Sequence, residues 1–280
     1  MLLVPATRAV SGDAGLHDRW NALLARHVDN GRVDYEGIRR ERAELDGYLT
    51  ALRAAAPPIA HAGRDEQTAY WINVYNAYTI ALVLDHWPLE SIWNVTPLWK
   101  RPFGGPFALD YIPLGTAAPE LGKAKLSLND IEHEILRKRL TDPRIHFALV
   151  CASRGCPPLA SAAYTAGRLD AQLNLAARTF LADAGKNRFD AGRKVLVLSP
   201  IFRWYAGDFA ALGGPEGVFR RYGPAEETGA LGDGAPAVEY SEYDWSLNSR
   251  TGAGKPDNSP GPGGAAGTGP PDSRGMLKEK

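Results

Sequence analysis

The stretch "DEQTAYWINVYNAYTIALVLDHWP", residues 65–88, constrains this chain most. Acidic residues open it, which suits the positive end of a helix dipole, and Pro88 closes it. Between them the sequence is apolar almost all round. Such a helix has no face to offer water, so it must lie at the centre of a fold with other elements packed around it. Two amides interrupt it. Asn73 and Asn76 sit three residues apart on one face, beside a face carrying Trp71, Tyr75 and Tyr78. A buried amide without partners costs about 1–3 kcal/mol. Both asparagines must therefore bond to backbone from elsewhere or line a cavity.

The flanking sequence supplies the surrounding elements. Leu16, Trp20, Leu23, Leu24 and His27 recur at helical spacing, and "RVDYEG" reads as a short extended piece. Ile38, Leu45, Leu49 and Leu52 mark a second amphipathic helix, stopped by Pro57 and Pro58. Beyond a Pro- and Gly-rich loop (97–119), "SLNDIEHEILRKRL" predicts a helix capped by Ser127, with Asp130 three residues on and Leu128, Ile131 and Ile135 facing inward. "DPRIHFALVCA" reads as a buried strand because its apolar run is continuous. A helix over 169–183, a strand in "RKVLVLSP" and an aromatic turn or short helix in "IFRWYAGDF" follow. The pattern is that of an α+β fold, a predominantly helical domain packed on a small β-sheet.

Thirteen of the last 30 residues are Gly or Pro. Such a stretch buries too little to offset its ordering entropy, so 249–280 reads as a disordered tail, 1–12 as a flexible start and 13–248 as a single domain. With 32 basic and 32 acidic residues, nucleic acid is not expected as a partner. No run reaches the roughly 18 apolar residues of a membrane span. The first residues are too short a run, too broken by Pro5 and Arg8, to read as a signal peptide, which makes the cytoplasm the default compartment. There the two cysteines, Cys151 and Cys156, are expected as free thiols.

"VDYEGI", "AYWINVYNAYTI", "SLNDIEHEILR", "DPRIHFALVCASRGCPPL", "LSPIFRWYAGDF" and "YDWSLN" occur in an order that resembles the family named domain of unknown function 547, from about Val33 to Asn248. The resemblance implies a compact domain and points to Trp71, Asn73, Tyr75, Asn76, Glu132, His133, Arg144, His146, Cys151, Cys156 and Trp204. It implies no mechanism.

Chemistry has to come from the residues. Cys151 lies at a strand exit, and the Ala-Ser-Arg-Gly turn after it offers backbone N–H groups and Arg154, the makings of an oxyanion pocket. On a strand, His146 is about 16 Å away and on the opposite face, too far to serve as its base. His133 is the better base, with Asp130 one turn earlier to orient its ring. Asn73 or Asn76 is a candidate oxyanion donor, and Glu132 a candidate partner for Arg144 or for the asparagines. This predicts a cysteine-dependent acyl-transfer or hydrolytic enzyme acting on a small molecule or peptide, analogous to papain- or transglutaminase-type enzymes.

Two alternatives stand beside it. A tight turn brings Cys151 and Cys156 within the 4.4–6.8 Å Cα separation of a disulfide, giving a redox pair or a soft-metal or metalloid site. Otherwise both cysteines are core filling, His133 and His146 are structural, and the domain is a binding module. Phosphate loops, zinc helices and nucleophile elbows are not found. The spacing of Glu132, His133 and His146 does not demand a metal, and no cofactor is expected.

Overall fold

The computed structural model describes residues 15–250. The first twelve residues and all but the first two of the Gly- and Pro-rich tail lie outside them. The predicted central helix is α4, Arg64–Asp85, buried without a break from Thr68 to Leu84. Helices α2 (Tyr35–Arg40) and α3 (Arg42–Ile59) pack on it, and α1 (Asp18–His27), followed by a hairpin of β1 (Val28–Asp29) and β2 (Arg32–Val33), packs in turn on α3 and α2. The expected second helix is thus two. Asp34 caps α2 by accepting from Gly37 N–H. Helix α3 also runs through Pro57 and Pro58 rather than stopping before them. Both prolines are exposed in its last turn, where the carbonyls they leave unpaired meet water.

The loop over 97–119 contains three short 3₁₀ turns and leads into a fourth, Pro119–Leu121. After it, Asp130–Leu140 forms a π helix. Its entry is the predicted cap in full reciprocal form: Asp130 N–H donates to Ser127 Oγ (3.1 Å), and Ser127 N–H donates back to the Asp130 carboxylate (2.8 Å).

The predicted strand at 142–152 does not form. Asp142 accepts from Arg144 N–H, Pro143 presets the first turn, and Pro143–Phe147 is a 3₁₀ turn. The apolar run that follows finds no strand neighbour. Asn76 takes that role instead, its amide donating to Ala148 C=O (2.9 Å) while its carbonyl accepts from Val150 N–H (2.9 Å). Asn73 does the same for Tyr164, donating to its C=O (2.8 Å) and accepting from its N–H (3.0 Å). Both amides are satisfied by backbone, as their burial requires.

The rest of the chain comprises α5 (Leu169–Leu181), β3 (Arg188–Asp190), β4 (Val195–Leu198), α6 (Ile201–Trp204), α7 (Ala206–Phe209), α8 (Gly214–Tyr222), α9 (Ala225–Ala230) and β5 (Ala237–Tyr240). Strand β4 is the middle of a three-stranded sheet, antiparallel to β3 and parallel to β5. The α+β class holds.

Buried side chains fall into two clusters. One is built around α4; the other joins Phe147 to α5, β4 and α6–α8. The 143–151 segment straddles the seam, with Phe147 in the second cluster and Ala148, Leu149 and Val150 in the first. A strap of residues after β5 closes the first cluster. Ser249 bridges Val33 of β2, and Tyr35 donates to the Asn248 side chain (2.7 Å), so order extends two residues into the segment expected as tail.

Candidate functional site

A cleft of about 40 Å³ opens at the seam between the two clusters. Helix α4 contributes Tyr75, the π helix Glu132, the 3₁₀ turn His146, α6 Trp204, and the C-terminal strap Tyr243 and Trp245; Tyr205, between α6 and α7, completes the polar wall. Cys151 and Cys156 form the opposite wall, joined by a disulfide with a Cα separation of 6.3 Å. The expectation of two free thiols is corrected: the turn between them is tight enough for the bond. Any acyl transfer by a Cys151 thiol would require that bond to be reduced first.

The turn is held from several sides. Ala152 adopts φ 63°, in the left-handed region that costs an L-residue about 1–2 kcal/mol. Its C=O accepts from Asn248 N–H, while Arg154 and Gly155 N–H donate to Ser246 and Asp244 C=O. Two hydroxyls approach the sulfurs. Ser153 Oγ lies 3.2 Å from Cys151 Sγ and 3.3 Å from Cys156 Sγ; the Tyr243 hydroxyl lies 3.4 Å and 3.2 Å from the same atoms. Burial pushes the Tyr243 phenol well above its usual range, so it stays a protonated donor.

Gly155 is required by close approach: a Cβ there would sit 2.9 Å from three ring carbons of Tyr243. Gly155→Ala is expected to displace that ring and to destabilise by about 1–3 kcal/mol, read by thermal unfolding.

The polar wall is a chain of charges. His146, fully buried, stacks on Tyr205 with ring centroids 3.8 Å apart. Its Nε2 lies 2.7 Å from Asp208 Oδ2, and its Nδ1 faces Glu132 Oε1 at 3.8 Å. Arg137 clamps Asp208 bidentately, Nε to Oδ2 at 2.5 Å and an Nη to Oδ1 at 2.9 Å, and lies over the Tyr205 ring. Burial pushes Asp208 up, but bonds from His146 and Arg137 outweigh it and hold the carboxyl well below the usual range. For His146 burial wins over Asp208 and keeps the imidazole below its ordinary value. Burial first, then the Glu132 carboxylate, raises the Tyr75 and Tyr205 phenols far above theirs.

Some sequence-derived candidates meet here and others do not. Cys151, Cys156, Glu132 and His146 share the cleft. His146 reaches it because the segment turns instead of extending, which removes the geometric objection based on a strand. His133 is buried and bonded through Nδ1 to Arg137 (3.0 Å), and it does not line the cleft. Asp130 serves the Ser127 cap and Lys123 (2.8 Å) rather than orienting His133. Asn73 and Asn76 are buried, bond backbone through their amides and do not line the cleft, so neither is placed to meet an oxyanion there. Arg144 pairs with Asp142 (2.7 Å) and Asp170 (2.6 Å), not with Glu132. Trp71 lies in the core against Tyr70, and Arg154 sits within the disulfide turn without lining the cleft.

Sequence reasoning missed Asp208, Tyr243 and Trp245. The signal was present: a lone carboxylate inside "FRWYAGDF" and two aromatics in "YDWSLN". Among the described residues, no group of three or more His, Cys, Asp and Glu is arranged to hold a metal ion, and no helix is long and apolar enough to cross a membrane.

No curated protein and no solved structure matches the chain. The stretch from 59 to 181, which carries α4, Glu132, His146 and both cysteines but ends before Asp208 and Tyr243, matches a family model described as "Protein of unknown function, DUF547".

Proposed function

We propose that the domain is a thiol–disulfide redox protein whose reactive bond is Cys151–Cys156. The observation that carries this reading is the position of the bond, on the wall of a cleft with two hydroxyl donors against its sulfurs. A staple is the weaker explanation. The cysteines are only five residues apart, and closing so short a loop is worth about 2 kcal/mol in the chain-entropy account. The backbone there is already tied to the strap at three points.

The reaction is exchange with a donor dithiol. The donor's first thiolate attacks the half-buried Cys151 Sγ, the Cys151–Cys156 bond breaks, and Cys156 leaves as a thiolate and takes up a proton. The donor's second thiolate then attacks the mixed disulfide and releases Cys151, which is protonated in turn. Two electrons and two protons pass to the protein, and the donor leaves as a disulfide. Tyr243 and Ser153 stabilise the charge that develops on sulfur.

The test is exchange under native conditions. Millimolar dithiothreitol should add two mass units to the folded protein, and glutathione disulfide should remove them. A bond that opens only in denaturant would leave a structural crosslink and end the redox reading. This reading replaces hydrolysis by a free Cys151 thiol, since it starts from the bonded state and needs no imidazole base.

A further inference from the structure

The large apolar side chains that reach solvent are not scattered. Leu98 (70% exposed), Trp99 (67%) and Phe103 (58%) stand on one 3₁₀ turn, Leu98–Phe103, where Pro97 and Pro102 are exposed as well. A lone exposed apolar residue is ordinary, but three on one short turn form a patch that calls for a partner.

The same turn carries charge of one sign. Lys100 lies over the Trp99 ring at 5.3 Å, and Arg101 lies over Trp93 at 5.7 Å. Among the described residues neither cation meets a carboxylate, and the sequence has no Asp or Glu between Glu90 and Asp110. The base of the turn is fixed. Trp93 is buried and packs edge-on against Phe107 (5.5 Å) and Trp245 (5.2 Å), and Gly104 ends the turn at φ 93°.

These features select the occupant. A stable protein interface engages roughly 20–30 residues a side, far more than a six-residue turn offers. A bilayer surface needs only a tip that enters it. Trp, Phe and Leu favour the boundary between headgroups and acyl chains, and unpaired Lys and Arg are drawn to anionic headgroups.

We propose that the Leu98–Phe103 turn docks on the surface of an anionic lipid bilayer. Leu98, Trp99 and Phe103 enter the headgroup boundary, while Lys100 and Arg101 meet lipid phosphates and carboxylates. Attachment is from one side, and no helix among the described residues is long and apolar enough to cross.

The experiment uses the full oxidised chain without reductant in vesicle co-sedimentation. Vesicles of phosphatidylcholine and phosphatidylserine at about 2:1 should bind it at least tenfold more tightly than phosphatidylcholine alone, and added salt should weaken that binding. Lys100→Gln should cost about fivefold. Trp99→Ser with Phe103→Ser should abolish binding and leave thermal unfolding unchanged, since both side chains face solvent. No binding to either vesicle, equal binding to both, or full binding by the double variant would each overturn the proposal. So would a dimer lost in the double variant, or an oligouridine that binds as tightly as the anionic vesicles and displaces them, since the turn would then belong to a second copy or to nucleic acid. The comparison of vesicles needs no variant, so it stands even if a substitution disturbs folding. With no reductant present, failure of thiol exchange leaves these outcomes untouched.

Discussion

Asp208→Ala is expected to lower the unfolding free energy by about 3–5 kcal/mol near neutral pH, the cost of stripping one partner from a buried ion pair. Arg137 and His146 would both lose the group that compensates them, the first half-buried and the second wholly so. For a chain of this size the loss corresponds to a fall in Tm of roughly 10 °C. Its pH dependence distinguishes it from simple loss of packing. Asp208 has a depressed pKa in the folded state, so its contribution is fully present above the unfolded carboxylate value of about 3.9 and disappears as pH falls through the lower folded value. His146 is also depressed, and its contribution declines from the unfolded value of about 6.5 downward. The gap between Asp208→Ala and the unaltered protein should therefore narrow below about pH 4. Denaturant titrations at pH 7 and pH 3.5 measure both terms. A gap that stays constant across that range would mean Asp208 acts through packing alone.

Asn76→Leu is the second large effect. The side chains are close in size, yet leucine neither donates to Ala148 C=O nor accepts from Val150 N–H, and both groups are buried. Leaving two buried backbone groups unpaired costs about 2–6 kcal/mol, and the segment leading to Cys151 loses its anchor. Native-state hydrogen exchange at the Val150 amide should speed up by two or more orders of magnitude, because its acceptor is gone. Asn76→Asp keeps the acceptor and loses the donor, so it should protect Val150 better than leucine does. If Val150 exchanges at the same rate in all three proteins, the amide does not hold that segment.

Much of the scaffold was legible because it rests on local patterns. The all-round apolarity of residues 68–84 requires a central helix, and that requirement holds whatever surrounds it. Ser127 and Asp130 act within four residues of each other, so the cap can be read directly. The failures share one cause. A continuous apolar run such as that at 145–150 implies burial, but its backbone partner is an amide 74 residues earlier, and nothing local announces it. The sequence required Asn73 and Asn76 to find partners without saying which. Among the candidate site residues, the cysteines and Glu132 stood out by type. Asp208 reaches His146, and Tyr243 reaches Cys151, only through tertiary folding, from 62 and 92 residues further along the chain. His146 was discounted through a distance that assumed an extended backbone.

The strap from Tyr243 to Arg250 has a consequence for how the chain is made. It completes both the edge of β2, through Val33, and one side of the cleft, through Tyr243 and Trp245. A ribosome emits these residues more than 200 positions after the hairpin they finish. Until then the nascent hairpin exposes unpaired main chain and the aromatic wall has a missing side. A messenger truncated just before Tyr243 would yield a polypeptide with nearly every helix and neither closure, a natural target for chaperones and proteases.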